Sequence, residues 1–406
     1  MTAGLLTRTA SLVLGLALAG TALPARAETA ILVDVGTGAV LAQKDATHRW
    51  YPASTTKLMT TYVALEMIRN GEAAADTPVV MTRRAADEPP SKMGYEPGSV
   101  MRLDNALRMI MVKSANDVSV AIAQALGGRD REAFGRFIER MNDTAARLGM
   151  KDSHFVNPHG LPAPGQFSSA KDLALLAVAL RRDFPSESDL FRIEALFTGT
   201  DTIPNHNDLL GRYPGTDGMK TGYICASGFN VVTTATRDGR TLVAVVLGAN
   251  SVIQRAKETA ELLEKGFAQS VPEEAPLLAS LPASSGPPAD VSKEICSKEA
   301  RTARANEQKL ADKTPDTPYL TPLVRKTTRA PQVVQVGLGG AAGFGDIKPG
   351  VTLIPAYGIP LPTPRPTWPP VPTAVPPAAA ADEGAIGDAP ARGRVVSAEP
   401  APAAQP

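Results

Sequence analysis

Hydrophobic positions near the start of the chain change from one period to another. Two apolar stretches, residues 30–35 and 39–42, flank a Gly-Thr-Gly turn, which is typical of a β-hairpin. From residue 55 to 70 the apolar side chains instead recur every four positions, and Gly71 supplies a C-terminal stop. We therefore expect a strand pair followed by a helix with one buried face.

The same periods predict the elements that follow. Further helices are predicted at residues 105–112, 117–126, 131–148, 170–182 and 252–267. Three more strands are predicted at residues 220–224, 230–236 and 241–248, the last two joined by an Asp-Gly hairpin turn. Strands at both ends with helices between them predict an α+β fold, in which helices flank an antiparallel sheet built from both ends of the domain.

Both ends of the chain differ in character from the middle. Residues 1–27 are typical of a secretory signal peptide, with Arg8, an apolar stretch and an Ala-Arg-Ala cleavage site. After residue 270 the chain becomes rich in Pro, Ala and Gly, and residues 360–377 favour polyproline II. We predict a signal peptide at 1–27, one folded domain at 28–270, and a mostly disordered tail at 271–406.

Charge and cysteine content narrow the possible functions. The formal net charge of the 406 residues is +1, so no electrostatic attraction to nucleic acid or to anionic membranes is expected. The only two cysteines, Cys225 and Cys296, could pair in an oxidising compartment, and the sequence leaves this open. The exported product is expected to be soluble or weakly membrane-associated outside the cytoplasmic membrane, in the periplasm.

The first group of reactive residues lies at the start of the first helix. Ser54 and Lys57 are three positions apart, which places the hydroxyl and the amine on one helical face. A desolvated lysine can lose its proton and serve as a general base, so no histidine is needed to activate the serine. A serine N-cap followed by a solvated lysine is the commoner use of this pair.

Two further triplets follow in order along the chain. Ser114-Ala115-Asn116 lies between two predicted helices, where Asn116 could also be an ordinary helix cap. Lys220-Thr221-Gly222 lies on a predicted strand, where the absent side chain of Gly222 would let a ligand lie against the backbone. Singly, neither triplet establishes a function.

Together, the motifs S-x-x-K, S-x-N and K-T-G resemble the serine penicillin-recognising enzymes. Tyr-Pro-Ala before Ser54, Asn-Pro-His-Gly-Leu at 157–161, Asn-His-Asn at 205–207 and Asp-Gly-Met before Lys220 resemble the D-alanyl-D-alanine carboxypeptidases among the low-molecular-mass penicillin-binding proteins. The resemblance covers residues 28–269. It implies the β-lactamase or penicillin-binding transpeptidase type of fold.

The resemblance assigns roles in acyl transfer to four residues. Ser54 would be the nucleophile and Lys57 its base, while Ser114 would relay a proton to the leaving D-alanine. Asn116 would hold the substrate amide. The implied substrates are peptidoglycan stem peptides, and β-lactam antibiotics would be covalent inhibitors.

The resemblance also assigns a fifth catalytic residue, Lys220, and the substrate-binding residues Thr221, Gly222, Tyr223 and Arg255. Lys220 would set the electrostatics, and Thr221 with Arg255 would bind the terminal carboxylate. The backbone N–H groups of Ser54 and Tyr223 would form the oxyanion site, so the side chain at 223 would not matter. No cofactor and no metal are expected, because the histidines form no metal-binding pair, and His159 is expected to be structural.

Several alternatives remain open at this stage. A D,D-endopeptidase would use the same reaction on cross-links, and a β-lactamase would share the three motifs. The β-lactamase is disfavoured because residues 151–186 contain no Glu and Ala115 occupies the middle of the second motif. A non-catalytic wall-binding module, with a wall or protein partner for the Pro-rich tail, is the alternative from another class. A serine hydrolase with a Ser-His-Asp triad is excluded by the absence of G-x-S-x-G.

Overall fold

The computed structural model describes residues 29–128 and 130–342, with the backbone of 353–354 and 359–360. The predicted signal peptide and the polyproline stretch after residue 360 lie outside the described residues. None of the helices in the described residues has the length and hydrophobicity that a membrane-spanning segment requires.

The predicted strands and helices all occur in the predicted order, together with further short elements. The strands are β1 Thr29–Asp34, β2 Val40–Lys44, β3 Pro78–Val80, β4 Val100–Arg102, β5 Ala195–Phe197, β6 Thr202–Pro204, β7 Thr216–Ile224, β8 Gly228–Arg237, β9 Arg240–Ala249, β10 Val333–Gln335, β11 Leu353–Ile354 and β12 Ile359–Pro360. The helices are α1 Lys57–Arg69, α2 Arg83–Ala86, α3 Leu103–Val112, α4 Asn116–Leu126, α5 Ala133–Arg147, α6 Ala170–Asp183, α7 Ser188–Phe191, α8 Val252–Phe267, α9 Ser292–Cys296 and α10 Lys298–Asp312. Short 3-10 helices lie at Ala53–Thr56, Pro185–Glu187 and Leu278–Ser280.

The main sheet joins the two ends of the domain, as the sequence predicted. Its five strands have the order β2-β1-β9-β8-β7, and every neighbouring pair is antiparallel. Strand β7 forms one edge, so one side of its backbone pairs with no other strand of this sheet. The predicted α+β class with an antiparallel sheet and flanking helices is confirmed.

Helices cover both faces of the sheet, because the strand side chains alternate between them. Ile31 and Val33 of β1 point into the larger core with helices α1, α3, α4 and α6. Leu32, between them, points to the opposite face and packs with Ala260 and Leu263 of α8. The central strands are therefore buried on both faces, which explains their almost continuous apolar sequence.

The chain after residue 270 is more ordered than the sequence predicted. As far as residue 342 it forms α9, α10 and β10, and it returns to the domain to bury Ile295, Val324 and Val336. The prediction of a mostly disordered tail is wrong for residues 271–342. These apolar residues are widely spaced and have no common period, so the Pro- and Ala-rich composition conceals them.

A disulfide reinforces this packing and answers the question that the sequence left open. Cys225, directly after β7, is bonded to Cys296 at the end of α9. The bond ties the C-terminal region to the edge of the main sheet, next to the Lys-Thr-Gly motif.

Truncation after Ala275 should therefore destabilise the protein. Burial of Ile295 and Val324 alone contributes about 3 to 6 kcal/mol, so the melting temperature should fall by about 10 °C. Thermal unfolding followed by circular dichroism measures this change. The matched control is truncation after Ala342, which keeps every buried side chain in the described residues. Equal melting temperatures for both truncations would show that the segment 276–342 adds no stability.

Candidate active site

Three elements bring the sequence motifs together. The 3-10 helix Ala53–Thr56 runs directly into α1 and carries Ser54, with Lys57 one turn later. The short loop between α3 and α4 carries Ser114, and Asn116 begins α4. Strand β7 passes along the 3-10 helix and carries the Lys-Thr-Gly motif.

The amine of Lys57 is the centre of this arrangement. Its Nζ lies 3.0 Å from Ser54 Oγ, 2.7 Å from Asn116 Oδ1 and 3.0 Å from the backbone carbonyl oxygen of His159. The side chain is completely buried. Three acceptors from three separate segments thus fix the amine beside the serine hydroxyl.

Burial and neighbouring charge both favour the neutral form of this lysine. Desolvation holds the pKa of Lys57 well below its ordinary value, and the positive charge of Lys220 lowers it further. The carboxylates of Asp117 and Glu88 act in the opposite direction and raise the pKa. The net result is an amine that can accept the proton of Ser54 at neutral pH.

The segment 157–160 forms a turn that directs the His159 carbonyl oxygen toward the Lys57 amine. The Asn157 side chain accepts hydrogen bonds from the backbone N–H groups of His159 and Gly160, at 3.3 and 2.7 Å. Gly160 has a φ of +90° and lies so close to the carbonyl of Ala53 that no side chain would fit there. The Asn-Pro-His-Gly sequence is therefore explained by the turn that aims the His159 carbonyl at Lys57.

The side chain of His159 is occupied elsewhere. Its Nε2 lies 3.3 Å from Glu88 Oε2, and its Nδ1 accepts from the backbone N–H of Leu161 at 3.2 Å. Desolvation lowers the pKa of His159. These contacts agree with the structural role that we expected, although the backbone of this residue touches the candidate base directly.

Ser114 has an unusual backbone and a hydroxyl with no protein partner. Its φ is +63°, in the left-handed region, which non-glycine residues rarely adopt. Its Oγ is buried and has no hydrogen-bond partner among the residues that the structure describes. A buried hydroxyl without a partner costs free energy, which is typical of a site that pairs it with a ligand or with water.

Strand β7 approaches Ser54 at Gly222. A Cβ atom placed there would lie 2.8 Å from the backbone nitrogen of Ser54 and 3.0 Å from the carbonyl oxygen of Pro52. Only a glycine permits this approach, because both neighbours are backbone atoms. The close approach at Gly222 places the next residue of β7, Tyr223, beside the segment that carries Ser54.

A cluster of positive charges surrounds His206. Desolvation is the main cause that lowers its pKa to about 3, and the positive charges of Lys220, Lys113 and Arg255 contribute to the same shift. Lys220 is almost completely buried, and its Nζ donates to the Thr221 carbonyl at 2.9 Å. The neutral imidazole thus lies near the cations Lys113, Lys220 and Arg255, an electrostatic environment that favours a bound carboxylate.

Arg255, the residue assigned with the least support from the sequence, is buried on α8. Its Nη2 donates to Asp208 Oδ2 at 2.7 Å and to the His206 carbonyl at 3.1 Å. Asn207, between these two residues, donates to the Gly218 carbonyl of β7 at 2.9 Å. Arg255 is therefore linked to the Lys-Thr-Gly strand through the segment 206–208.

The Tyr223 side chain faces away from Ser54 and toward the disulfide. Its ring packs on Phe229 with the centroids 4.3 Å apart, and its hydroxyl lies 3.4 Å from Cys296 Sγ. The side chain thus stabilises the end of β7, whereas its backbone N–H is the group assigned to the oxyanion site.

Sequence reasoning missed three residues that shape the site: Glu88, Asp208 and Tyr319. None belongs to a recurring spacing, and Asp208 and Tyr319 meet across 111 positions of the chain. The segment 205–207 was noticed for its resemblance alone, and nothing in its sequence indicated that His206 lies near Lys113, Lys220 and Arg255. No group of three or more His, Cys, Asp and Glu side chains in the described residues could hold a metal ion.

This geometry defines a serine acyl-transfer site of the penicillin-recognising type, and comparison with known proteins agrees. Residues 18–251 match the peptidase S11 family, described as D-alanyl-D-alanine carboxypeptidase. The chain belongs to this family.

Individual relatives carry the same description. The chain is 35% identical over 249 residues to the D-alanyl-D-alanine carboxypeptidase DacA of Escherichia coli, covering 59% of this chain and 60% of the relative. It is 33% identical over 257 residues to DacF of Bacillus subtilis, covering 60% and 62% of the two chains. The chain thus spans about three fifths of the length of these relatives.

Solved structures share the fold. Penicillin-binding protein 6B from Escherichia coli superposes with a TM-score of 0.56 at 35% identity, covering 62% of this chain and 81% of that one. Penicillin-binding protein D2 from Listeria monocytogenes, in its ampicillin-bound form, superposes with a TM-score of 0.54 at 29% identity. That match covers 59% of this chain and 97% of the Listeria chain.

Substitution of Gly222 by Ala should block the site without removing any reactive group. The new methyl group would collide with the backbone at Ser54, so β7 would have to move away from the 3-10 helix. We expect acylation by a fluorescent penicillin to slow about a hundredfold, the scale of losing one oxyanion donor. Gly135→Ala is the matched control, because nothing lies within 4 Å of a Cβ at that helical position. Unchanged acylation in Gly222→Ala would contradict the close approach of the two segments.

Proposed function

We propose that this protein is a serine-type D-alanyl-D-alanine carboxypeptidase that removes the terminal D-alanine from peptidoglycan stem peptides through an acyl-enzyme on Ser54. The supporting observation is the completely buried Lys57 amine, 3.0 Å from the Ser54 hydroxyl, with a pKa held well below its ordinary value. A charged and solvated lysine could not act as a base at neutral pH. The proposed reaction therefore depends on the burial of this one side chain.

In the acylation step, Ser54 Oγ attacks the carbonyl carbon between the two D-alanines while its proton passes to Lys57 Nζ. The resulting oxyanion is stabilised by the backbone N–H groups of Ser54 and Tyr223. The C–N bond then breaks, and the leaving amine takes a proton relayed through Ser114. Asn116 holds both the Lys57 amine and the substrate amide.

In the deacylation step, water attacks the ester carbonyl, the carbonyl–Oγ bond breaks, and Ser54 recovers its proton. No redox step and no cofactor take part in this balance. A β-lactam enters by the same attack, but its ring opens and leaves no free amine to depart, so the adduct is expected to persist. The ampicillin-bound Listeria relative supports this part of the proposal.

The groups that bind the terminal carboxylate determine how the substrate is oriented in the site. Lys220, Thr221 and Arg255 supply the positive charge and hydroxyl for this carboxylate, near the neutral His206. We propose that the substrate lies along the open edge of β7, because that edge is not paired within the main sheet. The natural setting that we propose is the periplasm, where stem peptides are found.

Replacement of Ser54 by Ala should abolish both activities. We expect the wild-type protein to release D-alanine from a pentapeptide ending in D-Ala-D-Ala and to be labelled by a fluorescent penicillin. The variant should do neither, because the nucleophile is absent. Ser186→Ala, at an exposed position, is the control and should keep both activities. Labelling of Ser54→Ala at the wild-type rate would place the nucleophile elsewhere, and cleavage of cross-linked dimers alone would favour the endopeptidase.

The pH dependence of acylation should report the titration of Lys57. The rate is expected to rise with pH as Lys57 loses its proton and to level off well below the ordinary pKa of lysine, 10.5. Because the Glu88 carboxylate raises the pKa of Lys57, Glu88→Gln should move the curve to lower pH by a few tenths of a unit. Asp189→Asn, at an exposed carboxylate in α7, is the control. A shift of the Glu88→Gln curve to higher pH would contradict this assignment.

A further inference from the structure

The C-terminal region reaches the candidate active site through one tyrosine. After α10 the chain crosses the segment 208–213, where Tyr319, Leu323 and Val324 join a hydrophobic cluster with α8. Val324 is completely buried, and the backbone N–H of Arg325 donates to the Arg212 carbonyl at 3.1 Å. The position of Tyr319 is therefore fixed by the packing on both sides of it.

Asp208 connects this tyrosine to Arg255. The Tyr319 hydroxyl donates to Asp208 Oδ1 at 2.8 Å, and Arg255 Nη2 donates to Asp208 Oδ2 at 2.7 Å. Burial and the Asp208 charge raise the pKa of Tyr319, so its hydroxyl keeps the proton that it donates. Each oxygen of the carboxylate thus has a different partner, which fixes the plane of the carboxylate and the guanidinium that it holds.

We propose that Tyr319, acting through Asp208, positions the guanidinium of Arg255 to receive the terminal carboxylate of the substrate. This inference rests on the proposed function, since it concerns the carboxylate subsite of that reaction. Tyr319 and Asp208 are positioning residues, because they act through Arg255. The C-terminal region after residue 312 thereby contributes to substrate selection as well as to stability.

The segment 206–208 is also hydrogen-bonded to β7, the strand that carries the Lys-Thr-Gly motif. Asn207, next to Asp208, donates to the Gly218 carbonyl, two residues before Lys220. Movement of Asp208 would therefore displace Arg255 and disturb the strand that carries Thr221. A long arginine side chain loses considerable rotational entropy when it is held, and preorganisation by Asp208 means that the substrate does not have to supply this cost.

A competing interpretation predicts the opposite sign. If Asp208 merely neutralised Arg255, it would compete with the substrate carboxylate, and weakening the Asp208 contacts would improve substrate binding. If Asp208 and Tyr319 position the guanidinium, the same change impairs binding. The two interpretations are separated by the direction of the change in KM.

The test uses the full chain with Tyr319→Phe, which removes only the hydroxyl. Two peptides are compared, one ending in D-Ala-D-Ala with a free carboxylate and the other with this terminus amidated. We expect KM for the free carboxylate peptide to rise about three- to tenfold, the scale of a weakened charge-assisted hydrogen bond. The kcat for this peptide and the kcat/KM for the amide should change little, because the amide has no carboxylate for Arg255 to receive.

Tyr213→Phe is the matched control for a loss of packing or of a buried hydrogen bond. Tyr213 belongs to the same hydrophobic cluster, and its hydroxyl donates to the Glu264 carboxylate at 2.9 Å, in a pair that does not include Arg255. Both tyrosine variants should lose a similar amount of stability. Only Tyr319→Phe should lose its preference for the free carboxylate.

Asp208→Asn provides a second test that does not depend on the tyrosine. It keeps the shape of the side chain but removes the charge, so the same selective rise in KM is expected. A fall in KM would support the competing interpretation and overturn the proposal. Equal losses on both peptides, or a Tyr319→Phe protein that matches Tyr213→Phe, would also overturn it. A wild-type protein that releases no D-alanine would instead contradict the proposed function itself.

Discussion

The burial of the Lys57 amine is the constraint on which the rest of the site depends. Transfer of a charged ammonium from water to the protein interior costs several kcal/mol, so the side chain is stable there only as a neutral amine or with strong acceptors. The fold supplies acceptors from the first helix, from α4 and from the turn before α6. The left-handed backbone at Ala53 and Ser114 and the bare backbone of Gly160 accompany the convergence of these segments.

Local periodicity was enough to predict most of the fold. Alternating and helical patterns each report on a few neighbouring residues, and the strands β1, β8 and β9 and the helices α5, α6 and α8 were placed within a few positions. Strand β7 begins at Thr216, before its predicted start at residue 220. The prediction started too late because Asp217 and Gly218 are poor strand formers by local preference. Its pairing with β8 supplies the stability that local preference lacks.

In the candidate site, only the residues that belong to the sequence motifs could be predicted. Ser54, Lys57 and Asn116 lie together as expected, whereas the partners of Arg255 could not be inferred. A contact such as that of Asp208 with Tyr319 joins residues 111 positions apart, and neither residue has an unusual local sequence. Such contacts are determined by how the completed domain packs against its C-terminal region, which the composition suggested would be mostly disordered.

Because of its disulfide, the stability of this protein depends on whether the surroundings are oxidising or reducing. The bond between Cys225 and Cys296 closes a loop across 71 positions, and a loop of that size restricts the unfolded chain by about 4 kcal/mol. Before the thiols are oxidised, α9 and α10 must dock against the edge of the sheet without this contribution. A reducing environment therefore favours a looser C-terminal region, and an oxidising one favours the closed form. The redox potential of the surroundings thus influences how ordered the C-terminal region is, through the Cys225–Cys296 disulfide.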